Sequence, residues 1–511
     1  MLFNSHLFIF LFLPICLLGF YRIARHQTEW ALSWLVLCSL FFYGWWNPAY
    51  LLLMLASIVA NFYIGTAISR GLSLSRKKIY LLLGIILNLG FLAYFKYANF
   101  FVDSLNYLGA DYHLETIVLP LAISFFTFQQ IAYLVDAYQD DAKEYQFLHY
   151  CLFVTFFPQL IAGPIVHHRE MLPQFLQAKI SVNWDNIAIG LAIFSLGLFK
   201  KVILADGVAE YATPVFSAAE TGVEIGMMEA WGGSLAYTLQ LYFDFSGYSD
   251  MAIGLARLFG ITLPINFFSP YKALNIIEFW RRWHITLSRF LRDYLYFPLG
   301  GNRKGKFNRY RNLMLTMLLG GLWHGAGWTY VLWGGLHGLF LIINHAWRSL
   351  TQHSQIRLGV IGRVLSYLLT FLCVVVAWVF FRAESLDSAF NILGGMIGLN
   401  GVYLAVDTEL WLVHLFQGLG IEVHLNELSS TFIDEKSMRW IGWLLVVVWF
   451  MPNTLQLMQK YQPAINLEQF SPEPGTLQIT LNQKFAVLCS LIFIYCVLSL
   501  TRVSEFLYFQ F

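Results

Sequence analysis

A long run without charge, from Leu313 to Trp347, restricts this chain more than any other feature. The run contains no Lys, Arg, Asp or Glu but includes three histidines, His324 among them. A continuous helix of that length would reach roughly 50 Å, whereas the hydrocarbon core of a bilayer is about 30 Å thick. We therefore predict that the helix breaks at the glycine-rich segment 320–327. An imidazole at a broken membrane helix is costly unless it is paired or lines a watery cavity, so a functional role for His324 is the working hypothesis.

The composition assigns the chain to the membrane proteins. Of its 511 residues, 58% are hydrophobic and only 12% are charged, and the mean hydropathy is +0.60. These values exclude a soluble protein with a solvated surface. The net charge of +2 is too small to indicate a nucleic-acid partner. The six cysteines lie in apolar segments without metal-ligand spacing, so no metal site is predicted.

The apolar segments predict an all-α, multi-pass protein with roughly eleven to thirteen transmembrane helices in the lipid bilayer. Basic residues follow the first and third segments, whereas the turns at 47–48 and 103–115 have none. By the positive-inside rule, the N-terminus is predicted to lie outside the cytoplasm. The predicted spans are 3–21, 30–46, 50–69, 79–98, 115–135, 147–165, 187–205, 230–245, 313–324, 327–346, 361–381, 438–451 and 484–501.

A basic cluster at 303–311, which includes Lys304 and Arg309, precedes the charge-free run. The topology rule places it in the cytoplasm, and a topology signal is one sufficient explanation for it. A second, compatible interpretation is that it attracts an anionic ligand that carries phosphates.

The segment from Glu278 to Tyr294 has the pattern of an amphipathic helix. Helical spacing puts aromatic residues on one face and Arg281, His284 and Arg292 on the other. The pair Glu278 and Arg282 has the spacing of a salt bridge within one helix. We predict an interfacial or re-entrant helix, and a purely structural role remains open.

Two further segments carry polar or helix-breaking residues inside apolar sequence. The segment 242–250 contains Asp244 among aromatic residues and hydroxyls, which indicates a cavity lining or a buried network. The segment 157–164 contains two prolines and a glycine, which predicts a broken membrane helix.

Taken together, these motifs resemble the membrane-bound O-acyltransferase (MBOAT) family, and within it the membrane subunit of bacterial alginate O-acetyltransferase. The resemblance extends to about Ala383 and is weaker after about 400. We therefore treat 1–511 as one membrane domain, with a motif-bearing core at 115–385 and divergent helices at 386–511. The segments that carry the resemblance are FPQLIAGP at 157–164, YFDFSGYSD at 242–250, EFWRRWHI at 278–285, LRDYLY at 291–296, GGNRKG at 300–305 and GGLWHGA at 320–326.

The resemblance implies a ring of helices around a central catalytic tunnel, with His324 at the catalytic position and His284 at the second polar position. It implies acetyl transfer from a cytoplasmic thioester, acetyl-CoA, with no bound cofactor. His324 would act as general base, or form a transient acetyl-histidine, while His284 with Arg281 or Arg282 would orient the donor or stabilise the oxyanion. The candidate substrate-binding residues are Arg281, Arg282, Asp244, Trp323, Lys304 and Arg309.

The implied setting is the bacterial inner membrane, and the implied acceptor is an exported or cell-wall polysaccharide such as alginate. An extracytoplasmic acetyltransferase is expected as a partner that relays the acetyl group. A family member that transfers D-alanine from a carrier protein to teichoic acid remains an alternative. A transporter is a further alternative, although the sequence shows no convincing internal repeat.

Overall fold

The computed structural model describes residues 1–70, 73–139, 146–176, 180–351, 359–405, 410–426, 433–470, 477–500 and 507. These residues are mostly helical, which confirms the predicted class. The first α-helices are α1 Leu13–Ala24, α2 Thr28–Gly44, α3 Pro48–Ser69, α4 Leu74–Leu92, α5 Ala98–Tyr107, α6 Ile123–Tyr138, α7 Phe147–Thr155, α8 Phe157–Leu160, α9 His168–Phe175, α10 Trp184–Phe199 and α11 Asp206–Glu220.

The second half adds longer helices and one small parallel sheet, in which Val402 pairs with Val423. Its α-helices are α12 Met227–Leu258, α13 Ile276–Arg282, α14 Ile285–Leu291, α15 Gly305–His324, α16 Trp328–Thr351, α17 Gly359–Arg382, α18 Leu386–Met396, α19 Leu410–Gly418, α20 Glu435–Phe450, α21 Thr454–Leu457 and α22 Gln483–Ser499. The strands are β1 Val402–Ala405 and β2 Val423–Asn426. Segments of π-helix span Phe8–Phe12, Ala93–Tyr97, Lys200–Ala205 and Arg292–Tyr296, and 3₁₀ turns span Pro270–Lys272, Gln459–Tyr461 and Leu467–Gln469.

Fewer helices are both long and apolar enough for a full membrane crossing than the sequence predicted. Among the described residues, four helical stretches are long and apolar enough: Pro48–Ser69, Leu74–Tyr107, Trp184–Glu220 and Gly359–Arg382. Phe8–Ala24 and Gln483–Ser499 are shorter apolar helices. The predicted span 147–165 is broken into α7 and α8 and then continues as a loop, as its prolines indicated. The predicted span 115–135 starts too early, because the helix begins only after Pro120.

The contacts between helix ends and loops identify two ends of the helical bundle. At one end, which we call the basic end, Tyr21 donates to the carbonyl of Leu258 and Arg257 reaches the carbonyl of Tyr461. At the opposite end, the Tyr43 hydroxyl donates to the carbonyl of Leu121. The backbone N–H of Met227 donates to the carbonyl of Gly401 at this opposite end. Met227 and Leu258 are the two ends of α12, which has 32 residues, so they lie about 47 Å apart.

Helices α15 and α16 pack backbone against backbone at glycines. A Cβ atom on Gly321 would collide with the carbonyl oxygen of Tyr330, and one on Gly334 would collide with that of Met317. This close approach fixes the position of the α15 C-terminus, where the first candidate histidine lies. The predicted break is confirmed, because α15 ends at His324 and α16 begins at Trp328.

The predicted amphipathic helix over 278–294 is wrong in one respect, because it is two short helices. Helix α13 ends at Arg282 and α14 begins at Ile285, so the residues at helical spacing do not share one polar face. The break occurs at His284, which has φ +40° and ψ +54°, in the left-handed region. Non-glycine residues rarely adopt this conformation, and it persists only where the surroundings hold it.

Candidate active site

His324 is the last residue of α15 and lies at the buried centre of an aromatic cluster. Its side chain is 5% exposed, and its ring centroid lies 4.9 Å from that of Trp323, 5.0 Å from that of Trp333 and 5.2 Å from that of Phe381. Its Nδ1 is buried without a hydrogen-bond partner among the described residues. A polar group in such an environment is costly, which is typical of a site kept for chemistry.

His284 packs beside it, as the two-histidine hypothesis requires. The two imidazole centroids are 6.2 Å apart, and His284 is completely buried. Its Nδ1 lies 3.1 Å from Oδ1 of Asn266. Its Nε2 is buried and has no hydrogen-bond partner within the described residues.

Asn266 determines which nitrogen of His284 carries the proton. The Asn266 Oδ1 accepts from the backbone N–H of Thr286, at 3.3 Å, and from the Thr286 hydroxyl, at 2.9 Å. A backbone N–H can only donate, so this atom must be the amide oxygen and His284 Nδ1 must be the donor. Burial lowers the pKa of His284, so the ring is neutral and its Nε2 is an acceptor.

A lysine that the sequence analysis did not single out closes the end of α15. Lys96 lies in the π-helical part of the stretch Leu74–Tyr107 and donates to the carbonyls of Trp323 and His324, the latter at 3.1 Å. The neighbouring Tyr97 hydroxyl donates to the carbonyl of Leu322 at 2.7 Å. These bonds satisfy carbonyls that a helix C-terminus leaves without partners, and a cation there is favourable for the helix dipole.

A cavity of about 100 Å³ adjoins His324. It is near the opposite end of the bundle, because its wall includes the segment between α5 and α6. An aromatic wall formed by Phe128, Phe290 and Trp323 lies beside it, with the rings of Phe128 and Phe290 stacked at 4.1 Å. The cavity is lined by Trp46, Lys96, Ile161, Trp323, His324 and the segment 119–125, which includes Ser124.

The structure places Lys304 and Arg309 at the other end of the helix that carries His324. Fifteen residues of α15 separate Arg309 from His324, which corresponds to about 22 Å. Arg309 lies 2.6 Å from Nδ1 of His345, and Arg281 and Arg348 also act electrostatically on that imidazole. These four residues form what we call the arginine cluster.

The remaining candidate residues differ in whether they contact the histidines. Arg282 pairs with Glu278 at 2.7 Å, as its spacing predicted, and does not approach the histidines through any described contact. Trp323 does lie at the cavity and touches both histidines.

Asp244 is buried and is paired with a cation inside the protein. It forms a buried ion pair with Lys201, with Oδ1 and Nζ 2.6 Å apart. The next residue, Phe245, contacts His284 instead, at a centroid distance of 4.8 Å. The assignment of Asp244 as a substrate-binding residue therefore gains no support. The interpretation of 242–250 as a buried network fits the contacts.

The sequence carried a signal for Lys96 but only a weak one for Asn266. A lysine inside an apolar segment is by itself a functional hypothesis, because a lone ammonium is costly in a membrane. Asn266 lies outside the helices and strands and shows its role only through its partners. That segment is supported from the C-terminal region, since Ile265 donates to the carbonyl of Ile465.

Comparison with known proteins identifies the family. The profile of the membrane-bound O-acyltransferases matches residues 50–381. The chain belongs to the MBOAT family. It is therefore an acyltransferase, and its apolar helices agree with a membrane protein.

Several named relatives share most of their length with this chain. It is 49% identical over 434 residues to the peptidoglycan O-acetyltransferase of Helicobacter pylori. The aligned region covers 79% of this chain and 81% of that protein. It is 44% identical over 405 residues to the probable alginate O-acetylase AlgI of Pseudomonas aeruginosa, with 78% and 75% covered. The teichoic acid D-alanyltransferase of Streptococcus thermophilus is 30% identical over 236 residues, which is 44% of this chain and 57% of that protein.

Proposed function

We propose that this protein transfers acetyl groups from a cytoplasmic thioester, acetyl-CoA, across the inner membrane for O-acetylation of an exported or cell-wall polysaccharide. The observation that carries the proposal is the buried pair of histidines beside the cavity. The alginate and peptidoglycan relatives support acetyl as the transferred group and a glycan as the final acceptor.

In the proposed reaction, His324 is the general base. The acceptor hydroxyl attacks the thioester carbonyl carbon while its proton moves to the imidazole. The tetrahedral intermediate then collapses, the C–S bond breaks, and the thiolate takes the proton from the imidazolium. His284 would accept a hydrogen bond at Nε2 from an entering substrate and so orient it, because its Nδ1 is committed to Asn266.

We assign donor entry to the basic end and acceptor entry to the cavity end. Helix α16 connects the two, since Trp333, His337, His345 and Arg348 recur at intervals of three to eight residues that keep them on one side of the helix. Trp333 contacts His324, and Arg348 belongs to the arginine cluster. Guanidinium groups bind phosphates well, so the cluster suits the nucleotide part of CoA. A tunnel through the helical ring would join both sites to His324.

Replacing both Lys304 and Arg309 with glutamine should raise the apparent KM for acetyl-CoA about tenfold, as expected for the loss of a charge-assisted hydrogen bond. The effect on kcat should be small, and the KM difference should shrink at high salt because screening weakens capture. The measurement is CoA release at varied acetyl-CoA and salt. Lys436→Gln, an exposed cation on α20, is the matched control and should leave KM unchanged.

The sidedness of this proposal can be tested separately. A cysteine introduced at 304 should react only with reagents that reach the cytoplasm. Labelling of that cysteine from outside intact cells would contradict both the orientation of the chain and the cytoplasmic donor.

We further propose that an extracytoplasmic acetyltransferase receives the acetyl group and modifies the polymer. A cavity of about 100 Å³ admits a small group but not a polysaccharide chain. In liposomes supplied with acetyl-CoA, the protein alone should release CoA slowly and the partner should accelerate release. Efficient acetylation of free polysaccharide without a second protein would replace the relay by direct transfer.

Deleting the gene decides between the proposed function and its alternatives. Mild alkali should release less acetate from the cell-surface glycans of the deletion strain, and the complemented strain should recover it. A loss of ester-linked D-alanine with unchanged acetate would favour the teichoic acid reaction instead. If neither ester changed, acyl transfer to glycans would be rejected and the transporter hypothesis would return.

A further inference from the structure

The proposed reaction needs a group that stabilises the negative charge that develops on the thioester carbonyl oxygen in the tetrahedral intermediate. A neutral His284 does not supply it, because its Nδ1 proton is donated to Asn266 and its Nε2 is an acceptor. Arg282 is paired with Glu278, and Arg281 belongs to the arginine cluster near the basic end. A donor must therefore come from the cavity wall itself.

Lys96 and Ser124 are the polar side chains of that wall besides His324 and two tryptophans. Lys96 is 9% exposed, and its ammonium points at three acceptors: the carbonyls of Trp323 and His324 and, at 3.4 Å, the Ser124 hydroxyl. The indole N–H of Trp323 has no hydrogen-bond partner among the described residues, but its nitrogen has essentially no accessible surface and so does not open to the cavity. Lys96 thus directs its three N–H bonds to these acceptors and has none left to donate to a substrate.

Ser124, in contrast to Lys96, keeps a hydrogen that it can donate. It lies in the first turn of α6, is 8% exposed, and lines the cavity. Within the described residues, the only hydrogen bond of its side chain is the one it accepts from Lys96. Since the ammonium occupies a lone pair of the oxygen, the hydroxyl hydrogen is left to point elsewhere, and the cavity offers the space.

We propose that Ser124 donates a hydrogen bond to the thioester oxygen as it becomes negative, and that Lys96 orients Ser124 and stabilises the same charge through space. Attack on the carbonyl carbon moves the C=O π electrons onto this oxygen, and they return when the C–S bond breaks. Ser124 keeps its proton throughout. In this scheme Ser124 is a catalytic residue, whereas Lys96 is a positioning residue that also holds the helix end of His324. The inference rests on the proposed acetyl transfer.

Four variants test the proposal: Ser124→Ala, Lys96→Met, Lys96→Arg and Tyr97→Phe. Loss of an oxyanion donor typically lowers kcat by about 10²- to 10³-fold, so we expect that loss for Ser124→Ala, with KM for acetyl-CoA within about twofold. Lys96→Met should lose at least as much, and Lys96→Arg should recover part of it because the charge remains. Tyr97→Phe is the matched control, since Tyr97 bonds the same helix end but does not line the cavity.

The readout is CoA thiol release from acetyl-CoA by purified protein, together with the thermal unfolding midpoint of each variant. Wild type and His324→Ala are measured alongside. If wild type released no more CoA than His324→Ala, the proposed function would fail. If wild type were active and Ser124→Ala stayed within about threefold of it, far below the loss expected of an oxyanion donor, this inference would be overturned.

Tyr97→Phe separates catalysis from support of the helix. An equal loss of kcat in Tyr97→Phe would assign the whole effect to capping of α15 and would also overturn the proposal. If Lys96→Met fails to accumulate, Ser124→Ala and Lys96→Arg decide the question, because both keep the fold of the cavity wall closer to the wild type.

Discussion

Replacing His324 with alanine is expected to lower acetyl transfer by about 10³-fold or more, because general-base catalysis alone typically contributes 10²- to 10⁴-fold. The cavity beside His324 would then lack its only imidazole among the lining residues described. The expected result is measured as acetate on surface glycans in cells and as CoA release by the purified protein. Accumulation in the membrane and the unfolding midpoint should stay close to wild type, since Nδ1 of the ring has no hydrogen-bond partner among the described residues.

The matched control for that experiment is His149→Ala. His149 is also a buried histidine, 2% exposed, but lies on α7 away from the cavity lining. It should retain activity in proportion to the protein that accumulates. Substantial acetylation by a well-folded His324→Ala variant would remove His324 from the reaction.

Replacing Asn266 with leucine is expected to have a large effect on both stability and turnover. The change leaves three buried donors without an acceptor, namely the Thr286 N–H, the Thr286 hydroxyl and His284 Nδ1. Each unsatisfied buried donor costs about 1–3 kcal/mol, so the free energy of unfolding should fall by several kcal/mol. Turnover by the folded fraction should fall by roughly 10²-fold, because His284 loses its fixed tautomer and orientation.

Ser249→Ala provides the matched comparison for Asn266→Leu. Ser249 accepts from the other side of the Asn266 amide, at 3.3 Å, and makes no described contact with His284. Its loss should lower stability by about 1 kcal/mol and leave turnover near wild type. Wild-type turnover in Asn266→Leu would show that the tautomer of His284 is irrelevant to the reaction.

The sequence was most informative where a single local property decides the outcome. The charge-free run and its glycines predicted the break at His324, because the apolar run is much longer than the hydrocarbon core and glycine weakens a helix interior. Proline predicted the break after α7 in the same way. Periodicity was less informative between 278 and 294. There the contacts of Asn266 hold His284 in a left-handed conformation that helical spacing does not predict.

The sequence by itself determined the membrane class, the family motifs, the candidate histidines and the separation of basic from non-basic loops. Hydropathy, charge and helix breakers act over one or two turns, so they can be read along the chain. Only the tertiary structure brought Lys96 to the carbonyl of His324, 228 residues away, and Asn266 to the ring of His284. It also paired Asp244 with Lys201 and placed Lys304 and Arg309 at the far end of α15 from His324. Those outcomes depend on which helix ends meet in the packed bundle, and the orphan carbonyls and buried donors at those ends select their partners only after the helices have packed.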